Sequence, residues 1–96
     1  MPSRCDFAME IDDAFLMAER TVFLGVVRGG PKFIHDCDCE LILDDVVVAR
    51  FRVAGEALDL VREKDSRALV TATKIGPEFL RRARGAKLRG IPSREM

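Results

Sequence analysis

Four residues have the types that could hold a metal ion or act as nucleophiles: Cys5, His35, Cys37 and Cys39. His35, Cys37 and Cys39 alternate, so in an extended segment all three would point to one side, with Cys5 free to add a fourth ligand. Tetrahedral zinc sites use these residue types, but H-x-C-x-C lacks the two-residue spacer that lets neighbouring ligands embrace one ion. The expected reading is two small buried thiols beside a connector histidine, with no metal and no cofactor. Cysteine catalysis fares no better. His35, the only histidine, would sit ~6–7 Å from Cys37 along a strand, beyond direct proton transfer. Asp12-Asp13 and Asp44-Asp45 could serve as acids or calcium ligands, yet aspartate pairs between apolar runs are turn signals first. No catalytic residue is expected, and the chain is read as a non-enzyme. The densest chemical feature is basic: Arg81, Arg82, Arg84, Lys87 and Arg89 crowd the last fifth of the chain. Such a cluster can neutralise several phosphates and so bind nucleic acid, with RNA the expected partner.

What must position these residues is a single small domain. The 96 residues are 48% hydrophobic and 33% charged, values of a globular chain. No apolar run approaches the ~18 residues of a membrane span, and no membrane partner is expected. Acidic residues stand where a signal peptide would be apolar, which argues for a cytoplasmic protein whose three cysteines are reduced thiols. The zero net charge conceals an asymmetry. Residues 1–48 hold 4 Lys+Arg against 10 Asp+Glu, and residues 49–96 hold 12 against 6. The chain lacks Asn, Gln, Trp and Tyr, which removes the amides that read adenine edges and the larger stacking platforms.

Along the chain, period-two alternation dominates. Phe7, Met9 and Ile11 alternate with Ala8, Glu10 and Asp12, the pattern of a half-buried strand that Asp12-Asp13 should end. Residues 13–20 allow a short helix capped by Asp13. The stretch TVFLGVVRGG, residues 21–30, is apolar on both faces, as a strand in a tightly curved barrel would be. Gly25 at its centre permits a bend or a close backbone approach. Cys37, Cys39, Leu41 and Leu43 share one face of a strand, and Asp44-Asp45 turns it into a hairpin with residues 46–53. That pairing buries Val47, Ala49, Phe51 and Val53 and leaves Arg50 and Arg52 in water. Residues 56–64 suit a short helix or an irregular crossover, and residues 67–75 a last strand. Beyond residue 84, Gly85 and Gly90 weaken any helix, and a mobile basic tail is expected.

The order of these segments resembles domain II of translational GTPases, the barrel of the elongation factor Tu type. There a strand of the form TVVTGRVERG precedes a strand like DEVEI; here TVFLGVVRGG precedes DCELI. VARFRVAGEALD, KDSRALVTATKIG and PEFLRRARG resemble the family's later strand, crossover and closing segments. Where the family has a glycine-aspartate turn, this chain has His35-Asp36-Cys37. No G-x-x-x-x-G-K-[ST] phosphate loop is present, which excludes a nucleotide hydrolase of that kind. The resemblance implies a barrel and a binding role.

The sequence therefore predicts an all-β protein: a small closed or nearly closed antiparallel β-barrel of about six strands, with at most one or two short helices. Residues 1–6 would be an N-terminal tail, 7–85 the barrel and 86–96 a basic C-terminal tail. The expected function is binding of RNA or a ribonucleoprotein through Arg81, Arg82, Arg84, Lys87 and Arg89. The alternative is a protein-protein interaction or self-association module.

Overall fold

The computed structural model describes residues 5–29, 33–57, 65–83 and 85–91. Six strands, β1 (Phe7–Met17), β2 (Arg20–Gly29), β3 (Cys37–Leu43), β4 (Val46–Glu56), β5 (Ser66–Thr71) and β6 (Lys87–Gly90), and one helix, α1 (Pro77–Arg82), follow one another along the chain. The strands form a closed antiparallel barrel in the order β1-β2-β5-β4-β3-β6. The fold is all-β, as the alternation predicts.

Alternation sets the inside. Phe7, Met9, Ile11, Phe23, Cys39, Leu41, Val53, Leu69 and Leu88 are buried and belong to one core. Phe23 stacks on Phe51 with ring centroids 5.5 Å apart and planes within 6°. Gly25 faces Ile11 across the β1–β2 ladder. A Cβ at that position would collide with the carbonyl group of Glu10, so only glycine lets the two strands approach this closely.

Several local expectations are corrected. No helix forms over residues 13–20. β1 continues through Asp12-Asp13, which is not a turn but a bulge between Ile11 and Asp13, and the chain turns at Ala18-Glu19. Both turn residues have positive φ, 50° and 65°, so the hairpin forms on residues that carry no turn signal. Ala54-Gly55 is likewise a bulge inside β4 and not its end. Asp44-Asp45 is the turn foreseen, at φ 49° and 64°. The region 56–64 falls mostly outside the described residues.

Two corrections bear on function. The segment read as a basic tail enters the barrel: Lys87–Gly90 is β6, hydrogen-bonded between β1 and β3, with Leu88 wholly buried. Its own alternation explains this, because Ala86, Leu88 and Gly90 point inward while Lys87 and Arg89 point out. Residues 92–96 lie outside the described part of the chain. Nor are all three cysteines free thiols. Cys5 and Cys37 form a disulfide with Cα atoms 5.4 Å apart, and Cys5 is a core residue, not part of a tail. Among the described residues, no helix is long and apolar enough to cross a membrane.

Candidate functional site

The outward residues of β4, β3, β6, β1 and β2 form one wall, and ladder register places its charges in rows. Arg50 pairs with Glu40, Glu40 with Arg89, Arg89 with Ala8, and Ala8 with Arg28. Neighbouring strands stand ~4.8 Å apart, so three arginines recur across the barrel at intervals of roughly 10 Å. Lys87 lies in the adjoining row, opposite Ile42 on one side and Glu10 on the other.

Glu40 holds the centre. Its carboxylate accepts a hydrogen bond from Arg89 Nη2 at 2.8 Å and pairs with Arg50 Nε at 3.2 Å. The two guanidinium groups cover it, leaving its side chain 10% exposed while theirs remain 73% and 57% exposed. The Arg89 hydrogen bond above all, aided by the charges of Arg89 and Arg50, holds the Glu40 carboxyl below its usual range against the opposing effect of burial. An ion pair this exposed on its cationic side adds little stability. Its effect is positional: each arginine is tethered through part of its fork, and its remaining N–H donors face solvent.

Further pairs extend the wall. Arg52 Nε meets Asp38 Oδ1 at 3.2 Å, and Arg28 approaches Glu10 at 3.9 Å. Arg50, Arg52, Asp38 and Ile91 border a shallow groove of about 310 Å³ floored by Cys39 and Phe51. Around the Arg50–Glu40–Arg89 row, Arg28, Arg52 and Lys87 stand with the carboxylates Glu10 and Asp38, and farther along the same strands Asp12, Asp13 and Arg20 are also exposed.

The structure divides the basic cluster predicted from sequence. Lys87 and Arg89 stand on this wall. Arg81 and Arg82 lie on α1, which connects β5 to β6 at the barrel end where β1, β3 and β5 finish. There they favour the negative end of the short helix, and Arg82 pairs with Asp44 at 3.1 Å. Arg84 lies outside the described residues. The alternation of β4 leaves Arg50 and Arg52 in water, but nothing in the sequence joins them to Arg89, because the joining strand has the composition of a tail.

The cysteine-histidine motif does not assemble. His35 stays in the connector with Nδ1 3.5 Å from Asp36 and its ring 6.0 Å from that of Phe33, while Cys37 and Cys39 point into the core. Burial above all, reinforced by Asp38 and opposed by a hydrogen bond with the Val53 backbone, pushes the Cys39 thiol up to about 12. At neutral pH it stays protonated. A second charged group serves the fold. The Glu56 side chain, 3% exposed, accepts hydrogen bonds from Nε and Nη2 of Arg67 and from the Ile34 amide at 2.6 Å, fastening the β2–β3 connector to β4 and β5.

Fold and wall together define a six-stranded closed β-barrel with an arginine-bearing outer surface ordered by cross-strand carboxylates. No family model, curated protein or solved structure matches the chain.

Proposed function

We propose that this protein is a non-enzymatic binding module whose β4–β3–β6–β1 wall takes the phosphate backbone of RNA, free or in a ribonucleoprotein. The carrying observation is the Arg50–Glu40–Arg89 row, which presents two oriented guanidinium forks on a rigid sheet with Lys87 beside them. Guanidinium groups suit phosphate because their planar donors match its oxygens in pairs. The likeness of TVFLGVVRGG and DCELI to domain II of translational GTPases supports the same reading, since a six-stranded barrel is the fold that likeness implies. The reading includes a cytoplasmic setting, in which the thiol-reducing environment bears on the Cys5–Cys37 pair.

A salt series with a single-stranded RNA oligonucleotide tests this. Contacts from Arg50, Lys87 and Arg89 would give log affinity a slope against log salt of about −2, and each alanine substitution would remove about 0.7 of it. A double variant, Arg50→Ala with Arg89→Ala, that binds with the wild-type slope would show that the wall is not the site.

A second reading, self-association or a protein partner, is favoured by apolar residues at one barrel end. Leu16 and Met17 close β1, and Val46, 59% exposed, opens β4 beside Val47. Sedimentation showing an oligomer insensitive to nuclease would support it over RNA binding.

A further inference from the structure

β6 is only four residues long, yet it alone fills the gap between β1 and β3. It pairs Lys87, Leu88 and Arg89 with Glu10, Met9 and Ala8 on one side, and Lys87 to Gly90 with Ile42 to Cys39 on the other. Backbone bonds continue the ladder past both ends: Ile11 N–H to the Ala86 carbonyl at 3.0 Å, Gly85 N–H to the Ile11 carbonyl at 2.8 Å, and Ile91 N–H to the Asp38 carbonyl at 2.7 Å. Where β6 lies between them, β1 and β3 stand two strand spacings apart, ~9.6 Å. Just beyond, the Cys5 and Cys37 Cα atoms are 5.4 Å apart. The disulfide therefore shuts the slot at the end where β6 finishes. Gly90 lies directly against this closure: a Cβ there would strike the Cys5 carbonyl and stand 2.6 Å from the Phe7 ring.

We infer that the Cys5–Cys37 disulfide is a redox-controlled clamp on β6, so that its reduction frees the last strand and opens the barrel between β1 and β3. The chemistry is an exchange with a dithiol. A thiolate of the reductant attacks the Cys5 sulfur, the S–S bond breaks, and Cys37 leaves as a thiolate that takes up a proton. The second reductant thiol then attacks its own half of the mixed disulfide and releases Cys5. Two cysteine thiols and one cyclic disulfide result, with two electrons passed to the protein. Cys5, 5% exposed as a residue, is the more accessible partner, Cys37 being fully buried. Cys39, buried and protonated, does not compete as an internal nucleophile. Once the slot widens, Glu40 loses Arg89 when β6 departs, and both β1 and β3 gain an unpaired edge. The inference holds whether or not the wall binds RNA, since it concerns the closure alone.

Peptide mapping without reductant locates the bridge, and amide hydrogen exchange with and without millimolar dithiothreitol reads its effect. Exchange over residues 87–90 should rise at least about tenfold on reduction, while β5, across the barrel, changes less than about twofold. Cys5→Ala should show the reduced pattern throughout and no response to dithiothreitol. Three titratable thiols in protein purified without reductant, an unchanged rate at 87–90, or an equal rise in every strand would each overturn the clamp.

Discussion

Replacing Gly25 by alanine should disturb this fold far more than the addition of one methyl group suggests. The new Cβ would meet the Glu10 carbonyl group and stand 3.1 Å from the Ile11 Cα, all backbone atoms that no rotamer change can move aside. Relief requires β1 to part from β2 around the Ile11–Gly25 pair, which weakens the flanking pairs Glu10–Val26 and Asp13–Leu24. Two ladder hydrogen bonds at about 1 kcal/mol each, with about 1–3 kcal/mol of overpacking, give a loss of about 3–5 kcal/mol. A domain of this size has a total stability of about 5–14 kcal/mol, so a large share would go. Thermal unfolding followed by circular dichroism should show Tm lower by at least about 12 °C. Gly55→Ala is the internal comparison. Nothing lies within 4 Å of a Cβ there, and the change should be neutral or stabilise by about 0.4–1 kcal/mol through the unfolded chain. A Gly25→Ala protein that melts within about 4 °C of wild type would refute the close approach that the barrel's curvature rests on.

Ala18 and Glu19 occupy left-handed backbone conformations at the β1–β2 turn, so exchanging them for Asn-Gly should stabilise the protein by about 1 kcal/mol in urea denaturation. The lost Glu19–Lys74 pair is highly exposed and offsets little of that gain. Glu40 gives a pH signature. Its folded pKa lies below the unfolded value of 4.5, so its stabilising contribution is full above that value and is lost as pH falls through the lowered one. The stability difference between wild type and Glu40→Gln should therefore be constant at neutral pH and shrink in acid; an equal difference at about pH 3 and about pH 7 would refute the assignment.

The sheet was legible wherever a strand alternated over enough residues. β3 and the inner half of β4 follow directly from Cys37, Cys39, Leu41 and Leu43 facing Phe51 and Val53, with Asp44-Asp45 between them, but Ala49 is only half-buried and Val47, expected inside, is exposed where a bulge between Leu41 and Ile42 shifts the register. Bulges were not legible. An extra residue at Asp12 or Ala54 looks like an interruption in a pattern of period two, although the ladder resumes beyond it. β6 escaped for a different reason. With Leu88 its only large apolar residue and Gly90 its last, it has little strand propensity of its own, and tertiary pairing on both sides makes it a strand. The same error hid the candidate wall, since Glu40 is flanked by arginines only once β6 is in place. The disulfide was hidden because sequence spacing says nothing of how close residues 5 and 37 come around a closed ring.

Ring closure by the last strand also dictates when this barrel can finish folding. Ala8 pairs with Arg89, so the contact that completes the ring joins residues from opposite ends of the described chain and pays the largest loop-closure entropy in the sheet. During synthesis, β1 through β5 can assemble around Phe23 and Phe51, yet β1 and β3 keep open edges until residue 90 has been made. For that interval the nascent chain carries two edges ready to pair with a neighbour, and a four-residue strand ends the exposure.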